Sequence, residues 1–325
     1  MKDLWFSGYE PSNVEALSLL LEKSKIIFKK NISDVPLIKR YDAAIAIGLV
    51  KDDRFKSFLE NWVSFEESTF IMGAQASDKQ LTTYDEFAME WEGPVVKIKI
   101  HSFDLRIFPI TVIEYRLFIE SNGYLIKDFW NDEGWEWKIK NNISLPYNWY
   151  NQIYFQNCPV SCVSWYEAIA FCNWLSSYIG EGRYNFYLPS EVEWEYAARK
   201  NIPDGRRFPW GESISFGELS EANWAGCNLR RKTPVGMFPA SNTADGLVDM
   251  YGNVEEWCMD SWSTSLDSLK TNIYPVTIAN EINKVVRGGS TIRFMRLCRP
   301  TYRSRSNASQ RYPTIGFRIA RKIKN

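Results

Sequence analysis

From about Ile202 to the C-terminus the chain holds only short apolar runs, broken every few residues by Gly, Pro, Asn or Trp. Neither a helix of ordinary length nor a long strand fits such a stretch. It predicts short strands joined by long, specifically packed loops. The 14 Trp residues and an aromatic share of 15% supply rings that fill the space between such loops. Regular structure concentrates before that point. Ser164-Trp-Tyr-Glu167 is a capping box that opens a helix over WYEAIAFCNWLSSYIG. Within it Trp165, Ala168, Ile169, Cys172 and Leu175 share one face, which makes Cys172 a core residue. Ser190-Glu-Val-Glu193 is a second capping box, opening EVEWEYAARK. ITVIEYRLFIESNG predicts a helix over Ile110–Gly123 that ends at the glycine. STFIMGA and PVVKIKI, the latter alternating with period two, predict strands over 68–74 and 94–100.

Residues 1–62 read as a small helical extension ahead of a main domain over 63–325. NVEALSLLLEKSKIIFKK, from Asn13, has leucines at helical spacing. A second helix follows, with Pro36 near its start and Gly48 near its end. AAIAIGLVKDDRF is similar to the second helix and turn of a HEAT-type repeat. One or two such units cannot bury a core alone, so the extension is expected to pack on the main domain or on a partner.

Charge excludes some function classes. Lys and Arg number 39 and so do Asp and Glu, which argues against a general nucleic-acid binder. No apolar run of about 18 residues offers a membrane span. MKDLWFSGYEPSN lacks the pattern of a secretory leader, so a cytoplasmic location is expected. The six cysteines form no CxxC pair and read as buried thiols. A single histidine, His101, is present. Any Ser-His-Asp relay would have to run through it, and no multi-histidine metal site exists. Its place in an alternating stretch marks it as a strand residue without chemistry.

Eight segments then occur in order: FIMG (70–73), PVSCVSWYEAIAFCNWL (159–175), YLPSEVEWEYAAR (187–199), FPWGE (208–212), TPVG (233–236), GLVDMYGNVEEW (246–257), RGGS (287–290) and GFR (316–318). Together, over about Val63–Lys322, they resemble the formylglycine-generating enzyme family, also called the sulfatase-modifying factor domain. The resemblance implies an α+β, variant C-type-lectin-like fold with little regular secondary structure. The family's type enzyme oxidises a cysteine in a CxPxR sequence to formylglycine, using copper(I) held by two cysteines. The family spacing puts those cysteines at Arg293 and Cys298, so this chain has one of the two. One thiolate beside a guanidinium is a poor copper(I) site, and copper is not expected. Iron-dependent sulfoxide synthases of ergothioneine biosynthesis, in the same family, need a three-histidine site that a single histidine cannot make. Structural calcium is the cofactor that the resemblance still implies, at Asn253, the Val254 carbonyl and Glu256. A second family site would begin at Asn223 and Trp224, but its aspartate is not evident in AGCNLRRK.

Eight arginines and no acid lie between Arg287 and Arg318. Arg287, Arg303, Arg311 and Arg318 match common family arginines and are expected to pair with core acids such as Glu193, Glu195, Asp249 or Glu256. The rest of the stretch faces substrate in the family. Arg293, Phe294, Arg296, Arg299, Tyr302, Arg305 and Tyr312 are its candidate ligand-binding residues, since Arg and aromatic residues dominate interface energetics. The expectation is a non-catalytic module that binds a protein, peptide or anionic ligand, by analogy a sensor or adaptor in a bacterial signalling or conflict system. Two alternatives stand beside it. One is an oxidase or other enzyme with altered chemistry at Cys298, its thiolate favoured by Arg296 and Arg299. The other is a variable protein of a diversity-generating retroelement, whose varied codons yield residues like those of this stretch. The aromatic clusters GWEW (134–137) and YNWYNQIYF (147–155) read first as packing and second as the wall of a cleft.

Overall fold

A helix, α1 (Leu37–Val50), lays Leu37, Tyr41, Ala44 and Ile47 on the core of the main domain, the i, i+4, i+7 pattern of a single buried face. The computed structural model describes residues 35–324, apart from 51, 56, 180, 181, 201 and 203–205. The helix read from Asn13 lies outside them. Gly48 lies near the end of α1, as expected, and has a tertiary partner. A Cβ there would lie 2.5 Å from Cγ of Asn157, whose Nδ2 donates to the Ala44 carbonyl at 2.8 Å. The glycine therefore lets a buried amide cap the inner face of the helix.

The strands are short, as the composition requires. β1 (Trp62–Phe65), β2 (Ser68–Met72), β3 (Val96–Ile100) and β4 (Phe103–Arg106) come first, followed by α2 (Val112–Glu120), α3 (Asp132–Lys140) and the single turn α4 (Trp149–Gln152). α5 (Trp165–Tyr178), β5 (Tyr184–Tyr187) and α6 (Glu191–Arg199) follow. Beyond Ile202 there are only 3-10 turns and five strands among the described residues: β6 (Glu255–Ser261), β7 (Asn283–Arg287), β8 (Ser304–Asn307), β9 (Ile315–Gly316) and β10 (Ala320–Ile323). One antiparallel sheet has the order β1-β4-β10-β5, and β2 pairs with β3. The second four-stranded sheet runs β8-β7-β6-β9, with β9 parallel to β6. This mixed architecture is the α+β class expected.

Both expected capping boxes are formed, and a third opens α2 on Thr111 and Glu114. Each capping glutamate also makes a tertiary contact. Glu114 accepts from Arg106 at 2.5 Å, Glu167 from Tyr124 at 2.6 Å and Arg311 at 3.0 Å, and Glu193 from Tyr187 at 3.0 Å. A residue chosen to start a helix thus also fixes that helix to the rest of the fold. α5 buries Trp165, Ala168, Ile169, Cys172 and Leu175, and stacks Phe171 on Tyr115 at 5.4 Å. His101 follows β3 and is exposed, with Nδ1 3.5 Å from the Glu67 carboxylate.

Candidate functional site

β7 ends at Arg287, and the chain turns through Gly288 and Gly289 at φ +92° and +71°. A Cβ on Gly289 would lie 2.4 Å from the Cys298 sulfur, so only glycine lets this backbone cross the thiol. The segment then folds back: Arg293 N donates to the Ser290 carbonyl, and Met295–Leu297 form a 3-10 turn that ends at Cys298. This places Arg293 and Cys298 beside β6, where Glu255 completes a cluster of three. Arg293 Nη2 lies 3.1 and 3.3 Å from the two oxygens of the buried Glu255 carboxylate. Burial raises the Glu255 carboxyl and Arg293 opposes that rise. Cys298 is fully buried; burial, then the Glu255 charge, push its thiol up to about 12.

The expectation of a thiolate activated by neighbouring arginines is therefore corrected. Arg296 is exposed and turns back over the Phe294 ring. Arg299 is buried and points away, with Nη1 2.5 Å from Asp85 and Nη2 2.7 Å from Glu92. Arg293 directs its charge at Glu255. Burial and the Glu255 charge together outweigh the opposing Arg293 charge at Cys298, the reverse of what a nucleophilic thiol requires.

Most of the arginine-rich stretch is internal wiring. Arg287 reaches Glu191 at 3.2 Å and Glu195 at 2.5 Å, while Arg303 holds Glu191 with two bonds of 2.6 and 2.8 Å. Burial alone would raise the Glu191 carboxyl, but Arg303 and Arg287 outweigh it and hold it below the usual range. Arg318 clasps Glu256 at 2.6 and 2.8 Å, and Arg311 meets Glu167. Of the acids expected as partners, Glu195 and Glu256 serve. Glu193 takes Tyr187 and Lys322 instead, and Asp249 accepts from Gly236 N and Asn253.

The seven candidate ligand residues separate accordingly. Arg299 is buried and ion-paired, so it is removed from the surface. Arg293 is partly exposed but engaged by Glu255, and Tyr302 is half-buried. Arg305 is exposed and lies over Trp262 at 5.2 Å. Tyr312 is exposed on another side of the stretch, its carbonyl accepting from Cys162 N, and Cys162 in turn accepts from Tyr147 N. Phe294 and Arg296 remain together, joined by Ile292; Ile292 and Phe294 are 60% and 62% exposed. The neighbouring loop adds Phe216 and Leu219, also exposed. It is fastened by an Ala225 N bond to the Arg293 carbonyl and by the Phe216 ring against Trp224.

Asn253, Val254 and Glu256 do not form a calcium cage in this arrangement. Both Glu256 oxygens already face Arg318, and Oε2 also accepts from Trp194 Nε1 at 2.8 Å. Asn253 Oδ1 accepts from Thr233 N and from Asn223 Nδ2. Calcium takes six to eight oxygen ligands, waters included, and the side-chain oxygens of Asn253 and Glu256 are already engaged by hydrogen bonds and an arginine. Among the described residues no three His, Cys, Asp or Glu side chains come together as metal ligands. Sequence reasoning missed Glu255, although it lies inside the GNVEEW segment. Its pairing with Arg293 joins positions 38 residues apart, and no local spacing announces that. It also missed Asp85 and Glu92, which come from a stretch without periodicity.

A family model described as the sulfatase-modifying factor enzyme 1-like domain matches residues 51–323. A hercynine oxygenase of Mycolicibacterium thermoresistibile is 27% identical over 269 residues, covering 77% of this chain and 56% of that protein. The formylglycine-generating enzyme of Bos taurus is 26% identical over 273 residues, covering 72% of this chain and 70% of the relative. The structure of PvdO from Pseudomonas aeruginosa superposes with a TM-score of 0.63 at 24% identity, over 80% of this chain and 94% of that one, a likeness of fold. The chain spans little more than half the length of the hercynine oxygenases it matches. No described helix is long and apolar enough to cross a membrane.

Proposed function

This chain belongs to the sulfatase-modifying factor enzyme 1-like family, and on that premise we propose a binding module that keeps the family scaffold without its oxidative chemistry. One observation carries the reading: the ion pair of Arg293 with Glu255, close enough to the buried Cys298 thiol for both charges to act on it. At the two positions where the family resemblance puts copper-binding cysteines, this chain has a cation already matched by an acid and a thiol held protonated. The surface left for recognition is the turn Ile292–Phe294–Arg296 with Phe216 and Leu219. Aromatic and aliphatic anchors rimmed by one arginine suit a protein or peptide partner, consistent with a sensor or adaptor role.

The names of the relatives favour a second reading, an oxidase with altered chemistry at Cys298. One experiment separates the two. The protein is titrated anaerobically with copper(I), as wild type and as Cys298→Ser, and incubated in air with a CxPxR peptide. The expected result is no stoichiometric copper that depends on Cys298 and an unchanged peptide. Copper bound by the wild type and lost in Cys298→Ser, or an oxidised peptide cysteine, would transfer the protein to the second reading.

A further inference from the structure

α1 and the 148–158 segment border a cleft of about 280 Å³, built from residues that take no part in the turn at 292–296. Tyr41 and Phe155 form its apolar wall; Asn148, Asn151, Arg231 and Lys232 form its polar wall. No acid lines it among the described residues. Lys232 is the unusual group. Its Nζ donates to Ser161 Oγ at 2.6 Å, to the Pro159 carbonyl at 2.8 Å and to Gln152 Oε1 at 3.1 Å. The Gln152 amide is fixed in that orientation, since its Nε2 donates to the Tyr147 and Ser161 carbonyls at 3.1 and 2.9 Å. Three acceptors around one nitrogen select the ammonium, which has three protons to give. Yet all three are neutral.

Burial lowers the Lys232 pKa to about 8, and the opposing influences come from two thiols, Cys158 and Cys162, rather than from a carboxylate. A buried cation without an anion is costly, and removing a partner from such a charge is what makes broken ion pairs so destabilising. The adjacent Arg231 does not relieve this. It is exposed, lies over the Tyr41 ring at 5.5 Å and makes no ion pair among the described residues. Two neighbouring cations therefore face one partly apolar cleft with nothing anionic in it. The arginine-rich stretch is the opposite case, where buried guanidiniums are matched to carboxylates.

We propose that this cleft binds a small organic acid, with the carboxylate between Arg231 and Lys232 and the apolar body against Tyr41 and Phe155. Guanidinium recognises a carboxylate through paired N–H groups, and the ammonium adds charge from behind. Asn148 and Asn151 supply amide groups at the rim.

The full chain is titrated with benzoate by calorimetry, with benzamide as the uncharged match and inorganic phosphate as the anion without an apolar body. Benzoate is expected to bind with a Kd of about 1 mM or tighter, and benzamide about tenfold weaker or worse. Arg231→Gln, at an exposed position, is expected to keep the wild-type melting temperature and lose about tenfold in benzoate affinity. Lys232→Met is expected to abolish binding, but it removes three hydrogen bonds and can unfold the site, so Arg231→Gln carries the test. Equal binding of benzoate and benzamide, wild-type affinity in Arg231→Gln, or no benzoate binding at about 10 mM would each overturn the assignment. Phosphate binding without benzoate binding would overturn the role given to Tyr41 and Phe155.

Discussion

A direct perturbation of the candidate site is an electrophile offered to its thiol. With a pKa of about 12, Cys298 is a thiolate in roughly one molecule in 100,000 at pH 7, whereas an unperturbed cysteine, near 8.5, is a thiolate in about 3%. Thiolate fraction alone thus slows alkylation about 3,000-fold. Burial adds a second barrier, because iodoacetamide cannot reach a sulfur crossed by the Gly289 backbone. The folded protein is treated with iodoacetamide at pH 7, and each cysteine peptide is quantified by mass spectrometry over time. Cys298 is expected to label no faster than Cys172 and Cys258, which are core residues exposed only when the fold opens. All six thiols are expected to label once the protein is unfolded, since none is in a disulfide. Glu255→Gln separates the two causes of inertness. It removes the second, electrostatic contribution and leaves the first, burial, so labelling is expected to rise only slightly. Labelling of Cys298 within about tenfold of a free cysteine would refute the reasoning and restore the thiol as a candidate nucleophile.

Arg318→Met strands the buried Glu256 carboxylate and is expected to cost about 3–5 kcal/mol by urea denaturation; adding Glu256→Gln is expected to recover part of that loss, and additive losses would contradict the ion-pair account. Asp260 is raised to about 7, by burial first and then by Glu191. The folded state therefore holds a proton that the unfolded chain releases near pH 4. Stability relative to Asp260→Asn is expected to fall as pH rises from 4 to 7, by on the order of 3–4 kcal/mol, and then to level off; a flat difference would show that Asp260 titrates normally. Phe294→Ser changes an exposed side chain and is expected to shift stability by no more than about 0.5 kcal/mol, so a large drop in melting temperature would mean that Phe294 packs rather than binds.

What was legible in the sequence is what depends on near neighbours. The Ser164–Glu167 and Ser190–Glu193 boxes are four-residue statements, and the helices begin where they say. β3 alternates buried Val96, Ile98 and Ile100 with outward Lys97 and Lys99, as period two requires. The scarcity of regular structure beyond Ile202 was equally plain from composition. Gly48 lies near the helix end, as read, but its contact with Asn157, 109 residues away, was not legible. Arg299 was misread for the same reason. Its acids, Asp85 and Glu92, are more than 200 residues distant, and an arginine beside a cysteine looks like an activator until its fork is seen to point elsewhere.

The distribution of those arginines shows which parts of the scaffold carry its buried ion pairs. Arg287, Arg303 and Arg318 tie β7, the 299–303 turn and the C-terminal segment to α6 and β6 through Glu191, Glu195 and Glu256. None of these bonds passes through position 293 or 298. The ion pairs of Arg287, Arg303 and Arg318 thus do not use the site's two key positions as partners. An arginine at 293 would leave a partly buried cation, and an acid at 255 would leave a buried anion; each alone is destabilising. Together they neutralise each other at 3.1 Å and close the ground beside Cys298. Position 255 therefore constrains position 293. Replacing Arg293 with cysteine without also removing Glu255 would set a second thiol near a buried carboxylate, where both groups favour the protonated state and neither is ready to bind copper(I).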